Sequence, residues 1–490
     1  MRRTVIDPRP NWRDRVSSQG LVFYDAPSGA GGGSPYWNED ACYRLTSAEV
    51  DYLETVTEQL HQMCVEAGRF LASGAMGSLG LPPGALEIAR ASLEADAPSL
   101  YGRFDLAWDG RGHAKLLEYN ADTPTGLLEA SVIQWYWLQD THPDLDQWNS
   151  LHERLVQAWR DVAWRLPQAP VVFAHHPGSA GAEEEMTVTY LRDTADQAGL
   201  RTVSLPIDQI GYDEARRCFV GEGTDVLRTC FKLYPWEDML AETFGRYVEP
   251  VPSGSRSTTW IEPPWKVLLS NKALLAALWQ VYPGHECLLP AYLDGPRDLV
   301  DWVAKPLHGR EGEGIHAQVG GRALGAGAPG LPPSSRYGAE GYCYQQWFPL
   351  PSFEGHRPVL GCWVVDGRAA GLGIREGTQD ITDHLARFVP HLIEAPRPDE
   401  ATQAAWLTEP ATPIPSRERP TPTALPGPPR AAPAPPESAP AKEPASPVPT
   451  WRPFRVEPDT GDYGDPAAAP DLPRWDGPQD YPNDPTRGIF

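Results

Sequence analysis

The stretch that decides the fold runs from residue 101 to 120, YGRFDLAWDGRGHAKLLEYN. Two strand-like runs flank Asp109-Gly110-Arg111-Gly112, and Asp-Gly and Arg-Gly pairs between such runs are hairpin signals. Side chains two apart on a strand share a face. Arg103 therefore goes with Asp105, and Glu118 with Asn120. Antiparallel pairing brings RFD back against EYN, with the register open by two residues. Where the two faces coincide, three oxygen-bearing side chains and one guanidinium converge. Asp, Glu and an amide oxygen are hard ligands of the kind Mg²⁺ takes, the remaining positions going to water and phosphate. Taken alone, the same residues also read as a surface hairpin with ordinary polar alternation. Pro124 and Gly126 then break the strand.

Working outward, residues 46–72 and 148–165 place apolar residues at helical spacing. APVVFAH (169–175) reads as a buried strand, EEEMTVTYLRDTADQAGL (183–200) as a helix and TVSLP (202–206) as a second strand. That β-α-β rhythm predicts an open α/β layer. A helix (LLSNKALLAALWQVY), two strands (WVAKPL, YCYQQWFPL) and a strand pair (PVLGCWVVDGRAAGLGIRE) follow. The expected class is α/β with α+β parts.

The later segments carry a second cluster. Lys272 stands at a helix start in SNKALL. Lys305 ends an apolar strand and is followed by the glycine-rich HGREGEGI, which includes Arg310 and Gly312. A lysine beside a mobile glycine loop suits phosphate oxygens over which the loop can close. YCYQQWFPL, with Gln345 and Gln346, reads as a hinge strand for a purine ring. GREGEG is not a Walker loop, and each piece is weak alone. Their order is what an ATP clamp of two small α+β lobes needs.

Bulk properties bound the function. A net charge of −23 over 490 residues excludes a nucleic-acid-binding or anionic-membrane surface, both of which need clustered Lys and Arg. It does not exclude a local cationic pocket for ATP. No apolar run reaches the roughly 20 residues of a membrane helix. The N-terminus has arginines with no apolar core behind them, unlike a signal peptide. Seven cysteines without a CxxC pair predict reduced thiols in a cytoplasmic protein. Cys343, Cys362, Trp236 and Trp347 read as packing. His175, His176 and His308 lack metal spacing. From 396 to 490 the chain is rich in proline and poor in aliphatics, which predicts a disordered tail. Its Trp-containing islands, WRPFRVEPD and DLPRWDGPQDYP, are candidate docking motifs for a protein partner; a solvated tail with no partner is the plainer reading.

RFD, EYNADTPT, FKLYPWE, EPPWKVLLSNKALL, AKPLHGREGEGI, YQQWFPLP and GLGIRE occur in the order found in the synthetase domain of the glutathionylspermidine synthase family, shared by trypanothione synthetase. The chain resembles that domain over residues 20–395. The resemblance implies an ATP-grasp fold and an ATP-dependent, Mg²⁺-requiring ligase that joins a carboxylate to an amine, with small-molecule substrates. It implies Asp105, Glu118 and Asn120 as magnesium ligands, and Lys272 and Lys305 as phosphate lysines. Arg310 becomes a lid residue, and Arg103 and Arg375 steady the acyl phosphate and substrate. The expected organisation is a catalytic region over 1–395 and a disordered tail over 396–490. Within the catalytic region lie a metal-site hairpin (about 100–125), an α/β layer (about 168–265) and a nucleotide clamp (about 266–395). The family's serines after EYNAD are Thr123 and Thr125 here, candidates for substrate contact. Glu183 and Glu184 open an acidic run that either holds a cationic amine or complements a helix dipole. Leu233 stands where the family carries a substrate-binding threonine, so weak or absent activity with glutathione and spermidine is expected. No counterpart of the family's cysteine amidase domain precedes the motifs. The alternative is a non-catalytic nucleotide-binding scaffold acting through the tail.

Overall fold

The computed structural model describes residues 1–25, 35–176, 182–221, 225–324, 336–382 and 386–394. The tail and its Trp islands lie outside the described residues.

The hairpin forms as its turn residues dictate, with strands Tyr101–Ala107 and Lys115–Asn120. It is the edge of a five-stranded antiparallel sheet in the order Lys115–Asn120, Tyr101–Ala107, Arg357–Val365, Arg368–Gly377, Arg387–Val389. The first strand is buried along its whole length. Phe104 and Leu106 pack into the larger core with Leu53, Leu60 and Cys64 of the helix Ser47–Ala72. That helix starts at a capping box, in which Thr46 accepts from Glu49 N–H and the Glu49 carboxylate reaches back to Thr46 N–H. Arg103 and Asp105, on the other face, line a cleft.

A second five-stranded antiparallel sheet has the order Ala291–Tyr292, Tyr342–Gln346, Trp302–Pro306, His316–Val319, Arg322–Leu324. The residues expected to form the clamp thus divide between two sheets. Residues 291–346 build the second, while 357–389 complete the hairpin's sheet. The α/β layer is a four-stranded parallel sheet, Thr259–Ile261, Thr229–Lys232, Val171–His175, Thr202–Pro206, with the helix Ala182–Gln197 as a crossover. The stretch read as one helix is two, Lys266–Ser270 and Ala273–Val281. Asn271 breaks it with an extended backbone, its side-chain oxygen accepting from Ala273 N–H at 2.9 Å. Lys272 N–H is freed to bond Leu307 O at 2.9 Å, which brings the lysine to the second sheet.

Two buried ammonium groups tie these parts together. Lys266 donates to Tyr101 O (2.7 Å) and Ala121 O (3.0 Å) and lies 3.1 Å from the Glu262 carboxylate. Lys232 donates to Asp122 (2.8 Å) and Tyr234 O (2.7 Å), and Asp122 also accepts from Trp236 N–H at 2.9 Å. Burial pushes the Asp122 carboxyl up and the Lys232 ammonium down, each opposed by the partner's charge. All seven cysteines are free and buried, as expected for packing residues. No helix of the described residues is long and apolar enough to cross a membrane.

Candidate active site

The two antiparallel sheets and the first turn of Ala182–Gln197 border a cleft of about 800 Å³. At its floor the register opposes Asp105 to Glu118 and Arg103 to Asn120. A register irregularity follows Asp105, so the match could not be fixed from alternation alone. Across the sheet, Asp105 lies in one row with Gly361 and Gly373. A Cβ on Gly361 would stand 3.0 Å from Arg103 Cδ. The missing side chain at Gly361 leaves room for the Arg103 stem, while at Gly373 it leaves room for the Phe388 ring and Ala130. Arg103 clasps Asp105 at 2.8 and 3.2 Å, and Arg375 reaches the same carboxylate at 2.5 Å. Gly126, with φ +78°, turns the chain after the hairpin, and Arg103 also donates to Thr125 O.

Glu118 accepts from Asn120 at 2.9 Å and faces Lys272 at 3.6 Å. Burial would raise its pKa. The Lys272 and Lys305 charges, with Asn120 and Arg375, outweigh that and hold the carboxyl well below the usual range. Lys305 donates to Leu117 O (2.7 Å) and Gln345 Oε1 (2.9 Å), and Gln345 donates to Leu116 O at 3.0 Å. Burial pushes the Lys305 ammonium down, opposed chiefly by Glu118. Gln345 is thus a strut between Lys305 and the hairpin. Gln346 is exposed at the cleft edge, and its N–H donates to Pro290 O at 2.7 Å. Gly312 lines the cleft in the glycine loop with φ +76°. Arg310 spans the cleft, donating to Thr123 Oγ1 and to Glu237 Oε1, each at 2.9 Å.

The donor set suits Mg²⁺ that arrives with phosphate. Only hard oxygens are present, and Asp105 and Glu118 sit among four cations, Arg103, Arg375, Lys272 and Lys305. Among the described residues no cluster of three or more His, Cys, Asp or Glu stands ready to cage a metal alone. A polyphosphate would balance the surplus positive charge and supply the missing ligands.

Several expectations change. Glu183 lines the cleft, but Glu184 turns away and accepts from His176 N–H at 3.4 Å. Leu233 is buried in the second core, its N–H bonded to Ala174 O, and is not a lining residue of the cleft. Trp347, read as packing, lines the cleft, and so does His308. Sequence reading missed Glu237, Ser270 and Tyr36 there. Glu237, as the last residue of FKLYPWE, and Ser270, within EPPWKVLLSNKALL, had a signal; Tyr36 had none.

Burial, then the Glu129 and Glu311 charges, push the Glu183 carboxyl up to about 7, against a Thr125 hydrogen bond. A raised carboxyl holds its proton more tightly folded than unfolded, so its ionisation removes stability as pH rises from about 5 to 7. Glu183→Gln should raise the melting temperature at pH 8 and change it little at pH 5. Differential scanning fluorimetry at both pH values checks this, and equal shifts would contradict it.

Residues 3–394 match the family model described as glutathionylspermidine synthase preATP-grasp. The chain belongs to that family. A Haemophilus influenzae protein named as an acid–amine ligase is 38% identical over 396 residues, covering 80% of this chain and 98% of the relative. Trypanothione synthetase of Crithidia fasciculata is 26% identical, covering 61% of this chain and 48% of the relative. The bifunctional glutathionylspermidine synthetase/amidase of Escherichia coli is 26% identical, covering 56% and 46%. The chain spans about half the length of those last two and nearly all of the first. Membership places it among C–N ligases.

Proposed function

We propose that the protein is an ATP-dependent carboxylate–amine ligase with an ATP-grasp fold, forming an amide through an acyl phosphate. The observation that carries this is one cleft in which the Asp105–Glu118–Asn120 edge meets Lys305 and Arg310 from the opposite sheet and its loop and Lys272 from the start of the helix Ala273–Val281.

A carboxylate is a poor electrophile until one oxygen becomes a leaving group. Its oxygen attacks the terminal phosphorus of ATP, the bond to ADP breaks, and an acyl phosphate forms. A neutral amine then attacks the acyl carbon and phosphate departs. Lys272 and Lys305 hold phosphate oxygens, and Arg310 closes from the loop. Asp105, Glu118 and Asn120 would hold Mg²⁺, which when bound neutralises charge on the transferred group. Arg103 and Arg375 lie at the Asp105 end, where an acid substrate would be steadied. Fixed cations matter more than covalent chemistry here, because charge moves among phosphate oxygens in the transition state. Loop closure keeps water from the acyl phosphate. Glu183, with Thr123 and Thr125 nearby in the cleft wall, offers a place for the amine.

The test crosses small peptide-like and amino-acid carboxylates with primary amines and polyamines, reading phosphate release and then product mass. Mg²⁺-dependent ADP formation with a new amide is the expected result. ATP binding without ADP in any pair would favour the scaffold. ADP formation with a product lacking an amide would overturn the ligase reading.

A further inference from the structure

Resting on that reading, we propose that Glu237 is a positioning residue that, with Thr123, forms a prebuilt mount aiming Arg310 into the cleft.

The mount follows from a bond outside the cleft. Asp122 accepts from Trp236 N–H at 2.9 Å at the start of the short helix Trp236–Ala241, and the buried Lys232 clamps the same carboxylate. The next residue on each segment, Thr123 and Glu237, is thereby set beside its neighbour. Both reach one guanidinium, Thr123 through its hydroxyl and Glu237 through its carboxylate. The Arg310 side chain is 31% exposed and the Glu237 side chain 9%, so the carboxylate is the sheltered member of the pair. Burial would raise the Glu237 carboxyl, but Arg310 and then His308 hold it ionised.

The loop itself does not fix Arg310. Its neighbours Glu311, Gly312 and Gly314 all adopt positive φ, at 52°, 76° and 71°. A segment of that kind needs an external anchor to hold one long side chain in place. A guanidinium has five donors, and two go to the mount, leaving others for a phosphate. Glu237 therefore acts through Arg310, holding it for phosphate instead of competing for it. A loose arginine would lose part of the advantage of preorganised charge.

The test uses the full chain and Glu237→Gln, which keeps the shape and loses the charge. Trypsin cleavage after Arg310 in nucleotide-free protein should speed up ~10-fold as the guanidinium comes free. Calorimetry with Mg²⁺ should show the ratio of ATP to ADP affinity falling ~10-fold, a change that a merely structural defect would not single out. In an Arg310→Ala background, Glu237→Gln should add nothing to that loss. An unchanged cleavage rate, an unchanged ratio or additive effects would each overturn the mount. Wild-type protein that binds no ATP would sink the functional reading, while the trypsin result would still decide the mount.

Discussion

Glu118→Gln lowers ATP-dependent ligation by ~10²-fold or more and leaves a folded protein. Gln keeps the shape and the hydrogen bond to Asn120, so the hairpin has no reason to open. What goes is the charge facing Lys272 at 3.6 Å and depressed by both lysines. The variant cleft is more cationic, so metal-free ATP should bind at least as well as in the wild type. Mg²⁺ should then fail to improve the affinity, because one of two carboxylate ligands is gone. Calorimetry with and without Mg²⁺ separates the two effects. Near-normal turnover, or retained Mg²⁺ dependence, would refute the placement of the metal on this edge. Glu118 also sets no acid limb near neutrality. Its depressed carboxyl stays ionised well below the usual range, and its stabilising contribution is lost progressively as pH falls from the ordinary carboxylate range through that depressed value.

The hairpin was legible because its information is local: period-two alternation, Asp-Gly at the turn, and a proline and a glycine beyond. The clamp strands and the β-α-β layer were legible for the same reason. The row Asp105–Gly361–Gly373 was not. It joins residues far apart in the chain, and a glycine leaving room for an arginine looks like any other glycine. Glu184 was misplaced because helix phase was unknown. At 3.6 residues per turn, consecutive side chains diverge by about 100°, and here Glu183 lines the cleft while Glu184 reaches His176 N–H. Leu233 was given a substrate role by resemblance, whereas its side chain packs in the second core. The Lys232–Asp122 pair drew no sequence reading, because no single-sequence pattern marks a charge whose partner lies over a hundred residues away.

Lys232→Met should be the most destabilising single change named here, by about 3–5 kcal/mol, lowering the melting temperature by roughly five degrees. The side chains of Lys232 and Asp122 are both fully buried, and the ammonium also satisfies Tyr234 O. Methionine fills the volume and packs against Trp236, whose ring lies 4.5 Å from the ammonium. It cannot answer Asp122, which is left as a buried anion with only the Trp236 N–H. Asp122→Asn added to Lys232→Met removes that charge while keeping an acceptor for Trp236. The double variant should recover roughly half of the loss, as expected when the penalty is an uncompensated charge and not missing volume. Thermal and urea unfolding of the three variants check this. A Lys232→Met protein as stable as wild type would show that the pair contributes nothing to the fold. Loss without recovery in the double variant would place the damage at Tyr234 O.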